Sequence, residues 1–145
     1  MAILLDTNVL LRLVQKRHSH FALATRATNT LDARNETMLM AHQSIVEFWS
    51  VATRPFSANG LGLTIEDAEI ELDGLKKLFR VLPELPVHEE WQRIVVRYRI
   101  SGKSVHDARL VAAMIVHGIG EILTFNMQDF ARYSEISVLD PTNVS

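Results

Sequence analysis

Short apolar runs alternate with stretches of helical periodicity along most of the chain. Five runs predict strands, at residues 2–5, 37–41, 80–85, 121–125 and 136–139. Between them, apolar positions recur every three or four residues, which predicts helices. The predicted helices begin after residue 8, cover 18–34, 44–54, 65–79, 87–99 and 104–117, and end with a short one at 126–133. Strands that alternate with helices predict an α/β fold with a mainly parallel sheet between two helical layers.

Four acidic residues fall where a predicted strand ends or a predicted helix begins. Asp6 follows the first strand, Glu47 and Asp107 lie in the first turns of their helices, and Asp129 comes shortly after the fourth strand. The carboxyl ends of parallel strands share one edge of the sheet, where such folds bind ligands. We therefore expect the four carboxylates to converge there, provided that the helix of Asp107, which follows another helix, also begins at that edge.

Each acid also has a simpler explanation as a helix cap. A Ser or Asn three residues before an acid resembles a capping box. Three pairs fit that pattern, namely Ser44 with Glu47, Ser104 with Asp107, and Asn126 with Asp129. The segment from Asp6 to Asn8 likewise offers a side chain that could cap the first helix.

Periodicity separates Asp107 from an ordinary cap residue. It shares a helical face with Leu110, Val111 and Met114, which should point to the core. Burial of a carboxylate is costly unless the group is paired or binds a metal ion. The apolar strand before Asp6 places that acid in a similar environment. Glu47, in contrast, lies opposite its apolar stripe, so periodicity allows a solvated side chain as readily as a ligand.

The composition narrows the chemistry. The chain has 145 residues, which predicts a single domain over residues 1–145, and it contains no cysteine. Any metal must therefore be held by oxygen or imidazole ligands, and several carboxylates in one crevice favour Mg²⁺ or Mn²⁺. A site of this kind suits hydrolysis of phosphodiester bonds. The histidines are weaker candidates: we expect His18 and His20 on a helix with their rings pointing apart, and assign no catalytic histidine.

Charge and hydropathy set further expectations. The longest stretches without a charged residue have eleven residues, at 55–65 and 110–120, which is too short to span a bilayer. The amino terminus has no secretory pattern, so a cytoplasmic location is expected. The formal net charge is −2, so an RNA substrate would need local cations. The candidates near the predicted edge are Arg12, Lys16, Arg17, Arg54, Lys103 and Arg109.

Three segments and one helix, taken in order, resemble a known family. The segments are LLDTNVL at 4–10, HDARLVAA at 106–113 and LTFNMQDF at 123–130, and the helix is that of Glu47. Together they are similar to the PIN-domain family, in particular to small VapC-type toxins of bacterial toxin–antitoxin pairs. The resemblance implies a three-layer α/β/α sandwich and a Mg²⁺- or Mn²⁺-dependent ribonuclease. It further implies a homodimer and inhibition by a partner antitoxin.

The resemblance also implies roles for individual residues. By position, Asp6, Glu47 and Asp107 match the family's first three acids, and Asp129 matches the fourth. Polar residues beside them would orient these carboxylates or the substrate, namely Thr7, Asn8, Thr124 and Asn126.

Two other classes of function stay open from the sequence. One is a PIN-like module that binds RNA or a protein without cleaving it, which the slightly negative net charge favours. The other is a phosphatase or receiver-type domain, which needs a lysine near its phosphorylated aspartate. After residue 17 the only lysines are Lys76, Lys77 and Lys103, so this class has the least support.

Overall fold

Five parallel strands form the central sheet of the protein, seen in a computed structural model that describes residues 1–145. They are β1 (Ala2–Leu5), β2 (Thr37–Met40), β3 (Arg80–Val81), β4 (Glu121–Leu123) and β5 (Ser137–Leu139). Their order across the sheet is β3-β2-β1-β4-β5, and every neighbouring pair is parallel. The predicted α/β fold with a parallel sheet is confirmed.

Six helices cover the two faces of this sheet. They are α1 (Thr7–Val14), α2 (Phe21–Ala33), α3 (His42–Thr53), α4 (Ile65–Leu78), α5 (His88–Arg97) and α6 (Ser104–His117). Successive residues of a strand point to opposite faces, so Ile3 and Leu5 join the core formed with α1 to α4. Leu4 joins a second core formed with α5 and α6. The result is the expected sandwich of helices, sheet and helices.

Two helix starts and one short turn differ from the capping boxes expected from the sequence. Helix α3 begins two residues before Ser44, because Ala41 leaves β2 in an extended conformation and serves as its N-cap. Neither α3, α6 nor the 3₁₀ turn at Met127–Asp129 has a side-chain cap. Glu47 therefore lies in the second turn of α3. Of the four acids, Asp6 alone caps a helix, so capping does not explain the other three.

Several predicted elements are shorter in the structure. Strand β3 ends at Val81, shortly before Pro83, which has no N–H to donate to a sheet. The predicted helix at 126–133 is reduced to the single 3₁₀ turn. Helix α2 begins at Phe21, so His18 and His20 precede it, and their ring centroids lie 5.4 Å apart rather than pointing away from each other. No helix combines the length and apolar character needed to cross a membrane.

The order of the strands creates a crevice beside β1. From β1 the chain proceeds outward on one side through β2 and β3, and on the other side through β4 and β5. The direction of the strand order thus reverses between β1 and β4. In open parallel sheets, the loops that follow two such strands diverge and leave a binding crevice at their carboxyl ends.

Candidate metal centre

Asp6 lies at this crevice, at the junction of β1 and α1. Its side chain is 8% exposed. One carboxylate oxygen accepts a hydrogen bond from the backbone N–H of Thr7 (2.8 Å), and the other accepts from the hydroxyl of Thr124 (2.8 Å) and the amide of Asn8 (3.3 Å). These three donors fix the orientation of the carboxylate and favour its charged form.

Thr124 and Asn8 connect the ends of β1 and β4. The buried Thr124 hydroxyl accepts from Asn8 Nδ2 (3.1 Å) and from the backbone N–H of Asn126 (3.0 Å) while it donates to Asp6. Asn8 Oδ1 in turn accepts from the backbone N–H of Phe125 (3.1 Å). The side chain of Asn126 is exposed and contributes no hydrogen bond here. Of the expected orienting residues, Thr7, Asn8 and Thr124 contact a carboxylate.

Glu47 is held by two neighbours. Its Oε2 accepts from the Thr7 hydroxyl (2.9 Å), and its Oε1 accepts from Gln43 Nε2 (3.2 Å). Gln43 Nε2 also donates to the backbone carbonyl of His106 (2.8 Å), and Gln43 Oε1 accepts from Arg109 (2.9 Å). Gln43 therefore bridges α3 and α6. The sequence interpretation missed this residue, although its position one turn before Glu47 places both on one helix face.

Asp107 lies in the first turn of α6 and is half-buried. Burial raises its pKa to about 6, with further increases from the negative charges of Asp129, Asp6 and Glu47 and a smaller opposing effect of His106. Gln43 bonds both to Glu47 and to the backbone carbonyl of His106, so α6 begins at the same edge of the sheet as α3. The helix of Asp107 thus begins where the convergence of the four acids requires it.

Burial also raises the pKa of Asp6. The hydrogen bonds from Thr124 and Thr7 oppose this effect, and the charges of Glu47 and Asp129 add to it. Asp129 itself is exposed, in the 3₁₀ turn after β4. The four acids thus lie close enough to repel one another electrostatically.

None of the four acids forms an ion pair within the protein. The ion pairs of the structure involve four other acids, Glu36, Glu84, Glu90 and Glu135. No three Asp, Glu or His side chains are positioned so that they could hold a metal ion together. The four predicted ligands therefore share an edge and an electrostatic field, but they do not form a closed coordination shell.

The donor set fits a hard divalent cation. All available ligands are oxygens. A bound cation would relieve the repulsion between the neighbouring carboxylates, which have no other partner of opposite charge. Mg²⁺ usually keeps several water molecules and binds through one or two carboxylates, so it does not require three protein ligands at once. Asp6 and Asp107, the two acids with raised pKa values, are the best candidates for direct ligands.

The raised pKa of Asp107 predicts a pH-dependent gain in stability for Asp107→Asn in metal-free buffer. An acid whose folded pKa exceeds its unfolded value destabilises the fold increasingly as the pH rises from about 4 to about 6, and by a constant amount above that. Since Asp107 is half-exposed, solvent screening reduces the effect to about 1 kcal/mol. Thermal melts in a chelator should show equal stability near pH 4 and a more stable variant near pH 7. A variant that is less stable at neutral pH would contradict this electrostatic account.

The cations around the crevice differ in availability. Arg109 reaches it through Gln43. The loop that carries Lys16 and Arg17 approaches this edge at His20, whose ring stacks on Phe125 at 4.7 Å. Arg54 follows the far end of α3, about 18 Å along the helix axis from the edge. It is therefore a poor candidate for a substrate contact. On α5, Arg93 is paired with Glu90, and Arg97 is paired with Glu135.

Comparison with solved structures shows the same fold in several proteins. A chain of VapBC2 from Rickettsia felis, solved bound to a DNA fragment from its promoter, has a TM-score of 0.75 at 14% identity, covering 97% of this chain and 98% of that one. A chain of DNA-bound VapBC from Salmonella typhimurium has a TM-score of 0.71 at 18% identity, with 97% and 98% covered. VapC20 of Mycobacterium tuberculosis, a toxin that cleaves the sarcin–ricin loop, has a TM-score of 0.64 at 20% identity, with 92% and 98% covered.

Sequence comparison gives the family directly. The search of curated proteins found no match. The model of the PIN domain, however, matches residues 3–136. This range contains the four acids Asp6, Glu47, Asp107 and Asp129 and the residues that hold them. The chain belongs to the PIN-domain family.

Proposed function

We propose that this protein is a divalent-metal-dependent endoribonuclease that hydrolyses RNA phosphodiester bonds. The observation that carries the proposal is the group of four acids, Asp6, Glu47, Asp107 and Asp129, which act on one another at the crevice without a basic partner. A protein that used these acids only for stability would gain from a Lys or Arg among them. Membership of the PIN-domain family points to the same chemistry.

Asp6 and Asp107 would hold Mg²⁺ or Mn²⁺, with Glu47 and Asp129 acting on it directly or through water. When bound, such an ion activates water and stabilises the leaving oxygen in phosphodiester hydrolysis. The remaining residues position the acids: Thr124 and Asn8 hold the Asp6 carboxylate, and Thr7 and Gln43 hold that of Glu47. Partners of this kind keep metal ligands in a productive orientation.

We further propose that the protein is the toxin of a toxin–antitoxin pair. The support is its similarity to chains of VapBC complexes and to the toxin VapC20, over almost the full length of each. An antitoxin protein and a second copy of the chain are the expected partners, and the cytoplasm is the expected location because RNA substrates are there. The family match spans all but the first two and last nine residues, and β5 completes the sheet, so we propose one PIN-like domain over residues 1–145.

A binding module without catalytic activity is the second candidate. The observation that favours it is that no three of the acidic side chains are placed to hold a metal ion together. Such a protein would bind RNA or a partner protein through the same crevice. Its binding would not require divalent ions, whereas the nuclease would need them for turnover.

Cleavage assays separate the two candidates. Purified protein should cleave single-stranded and structured RNAs in Mg²⁺ or Mn²⁺ and should lose this activity in a chelator, with recovery when the metal is restored. The measurement is the rate of product formation on a panel of end-labelled RNAs. RNA binding without cleavage of any RNA, under every metal condition, would reject the nuclease and favour the binding module.

Salt dependence tests the cations at the crevice. Lys16→Ala with Arg17→Ala should weaken RNA binding and reduce the slope of log affinity against log salt by about 1.4, since each phosphate contact on a single strand contributes about 0.7. The control is Lys76→Ala with Lys77→Ala, which removes the same charge near the amino ends of the strands. Equal effects of the two double variants would show that only net charge matters.

A further inference from the structure

A largely apolar groove adjoins the candidate metal centre on the side of α5 and α6. It has a volume of about 640 Å³ and is open to solvent, within the range of small-molecule sites. Leu85, Val87 and Trp91 are among its apolar lining residues, and His88, His106 and Arg109 supply polar groups. None of these residues except His106 and Arg109 takes part in the contacts of the metal centre.

The groove and the metal centre share a wall. His106 and Arg109 flank Asp107 on α6, and both line the groove. The backbone carbonyl of His106 and the guanidinium of Arg109 each bond to Gln43, which in turn holds Glu47. A ligand in the groove would therefore lie next to anything bound by the four acids.

Trp91 gives the groove an aromatic surface without an unpaired donor. It is half-buried, and its indole N–H donates to the carbonyl of Val105 (2.9 Å). The ring of His88 lies 6.2 Å from that of Trp91, tilted by 34°. The exposed Leu85 adds apolar surface from the segment after β3. An aromatic ring whose polar atom is already satisfied offers its face for stacking against a flat ligand.

We propose that this groove binds one unstacked base of single-stranded RNA, beside the phosphodiester that is cleaved. The proposal rests on the proposed function, because it takes the RNA from there. Proteins recognise single-stranded RNA by stacking splayed bases on aromatic side chains and by placing cations near the backbone. The groove combines the two, with Trp91 and His88 in its wall and Arg109 facing the metal centre.

The polar groups favour a nucleotide over a second protein chain. Arg109 has no acidic partner within the protein, and its one hydrogen bond goes to Gln43. His88 and His106 are exposed beside it. The one acid at the groove, Glu84, lies 4.0 Å from His42. A guanidinium without an acidic partner, next to an aromatic surface, matches the phosphate and base of a nucleotide.

Fluorescence provides a binding test that does not depend on cleavage. In a Trp49→Phe background Trp91 is the only tryptophan. Titration with a short 2′-O-methyl oligonucleotide in a chelator should quench its emission, and an oligonucleotide with the same backbone but no bases should not. Leu85→Glu, at an exposed position, should weaken binding about tenfold or more without loss of folding.

Cleavage by variants separates this proposal from the proposed function. Trp91→Ala should lower kcat/KM about tenfold or more, and Trp91→Phe should keep most of it. An abasic nucleotide beside the cleaved bond should lower kcat/KM for the wild type by a similar factor and have little further effect on Trp91→Ala. If the protein cleaves RNA and neither Trp91→Ala nor the abasic nucleotide changes the rate, the proposal for the groove is overturned and the nuclease proposal stands. If the oligonucleotide quenches Trp91 emission only when it carries bases, but the protein cleaves no RNA, the proposal for the groove stands and the nuclease proposal fails. If Trp91 emission falls with rising protein concentration in the absence of RNA, the groove binds a second copy of the chain, and the proposal is overturned.

Discussion

Asp107→Asn should lower the rate of RNA cleavage in Mg²⁺ by at least about a hundredfold. Removal of residues that only orient a metal ligand commonly costs about 10- to 100-fold, and Asp107 is a proposed direct ligand. The substitution removes a charge that the fold itself disfavours, since burial and three neighbouring acids raise the pKa of this carboxyl to about 6. We therefore expect the variant to fold and, without metal, to be at least as stable as the wild type.

Asp6→Asn should have the same effect on cleavage for a different structural reason. Asp6 caps α1 by accepting from the N–H of Thr7, and Asn caps helices about as well as Asp. The fold should survive while the charge is lost. Asp73→Asn is the matched control, because Asp73 is exposed on α4, a helix that carries none of the residues of the candidate metal centre. It should cleave RNA at the wild-type rate.

Two measurements on the same samples decide the outcome. Thermal melting reports the fold, and single-turnover cleavage reports the chemistry. If Asp107→Asn and Asp6→Asn retain full cleavage, the acids are not metal ligands and the nuclease proposal fails. If they lose cleavage only in proportion to lost folded protein, the acids are structural. Loss of cleavage with an unchanged fold is the result that the proposal requires.

The sequence was informative for residues whose environment follows from their near neighbours along the chain. An apolar strand that ends at Asp6 placed this acid at the edge of the sheet, and the apolar stripe beside Asp107 marked a carboxylate at the border of the core. Both signals arise from local periodicity, which depends only on near neighbours along the chain. The parallel order of the strands followed from their alternation with helices in the same way.

The hydrogen-bond partners could not be predicted because they lie far apart along the chain. The Thr124 hydroxyl meets Asp6 across 118 positions, and Gln43 meets Arg109 across 66. These pairs are brought together by the register of β1 against β4 and by the packing of α3 near α6. Periodicity along the sequence does not reveal either. The capping boxes were wrong for the opposite reason. The local motif was present at Ser44, but the end of β2 let the helix begin earlier, with Ala41 as its N-cap.

Thr124→Val should destabilise the protein, because it breaks the long-range hydrogen bond to Asp6. The substitution preserves shape but removes a buried hydroxyl that donates to Asp6 and accepts from Asn8 and from the N–H of Asn126. Buried groups left without a partner cost about 1–3 kcal/mol, which lowers the melting temperature by several degrees in a chain of about this size. Thr124→Ser, which keeps the hydroxyl, should stay close to the wild type.

The effect of Thr124→Val on cleavage should exceed its effect on stability. The hydrogen bond from Thr124 is the main influence that lowers the pKa of the buried Asp6 carboxyl. Without it that pKa rises, so a larger fraction of Asp6 is protonated at neutral pH and unable to bind a cation. The acid limb of the pH–rate profile should therefore move to higher pH, and part of the lost activity should return as the pH is raised.

Thr28→Val provides the matched control for this experiment. Thr28 is a buried threonine of α2 whose hydroxyl donates to the carbonyls of Ala24 and Thr25, with no contact to the crevice. Its loss tests the cost of deleting a buried hydroxyl alone, and it should leave the pH–rate profile unchanged. If the pH–rate profile shifts in both Thr124→Val and Thr28→Val, the shift results from general destabilisation. An unshifted profile in Thr124→Val would mean that Thr124 joins the ends of β1 and β4 without setting the charge state of Asp6.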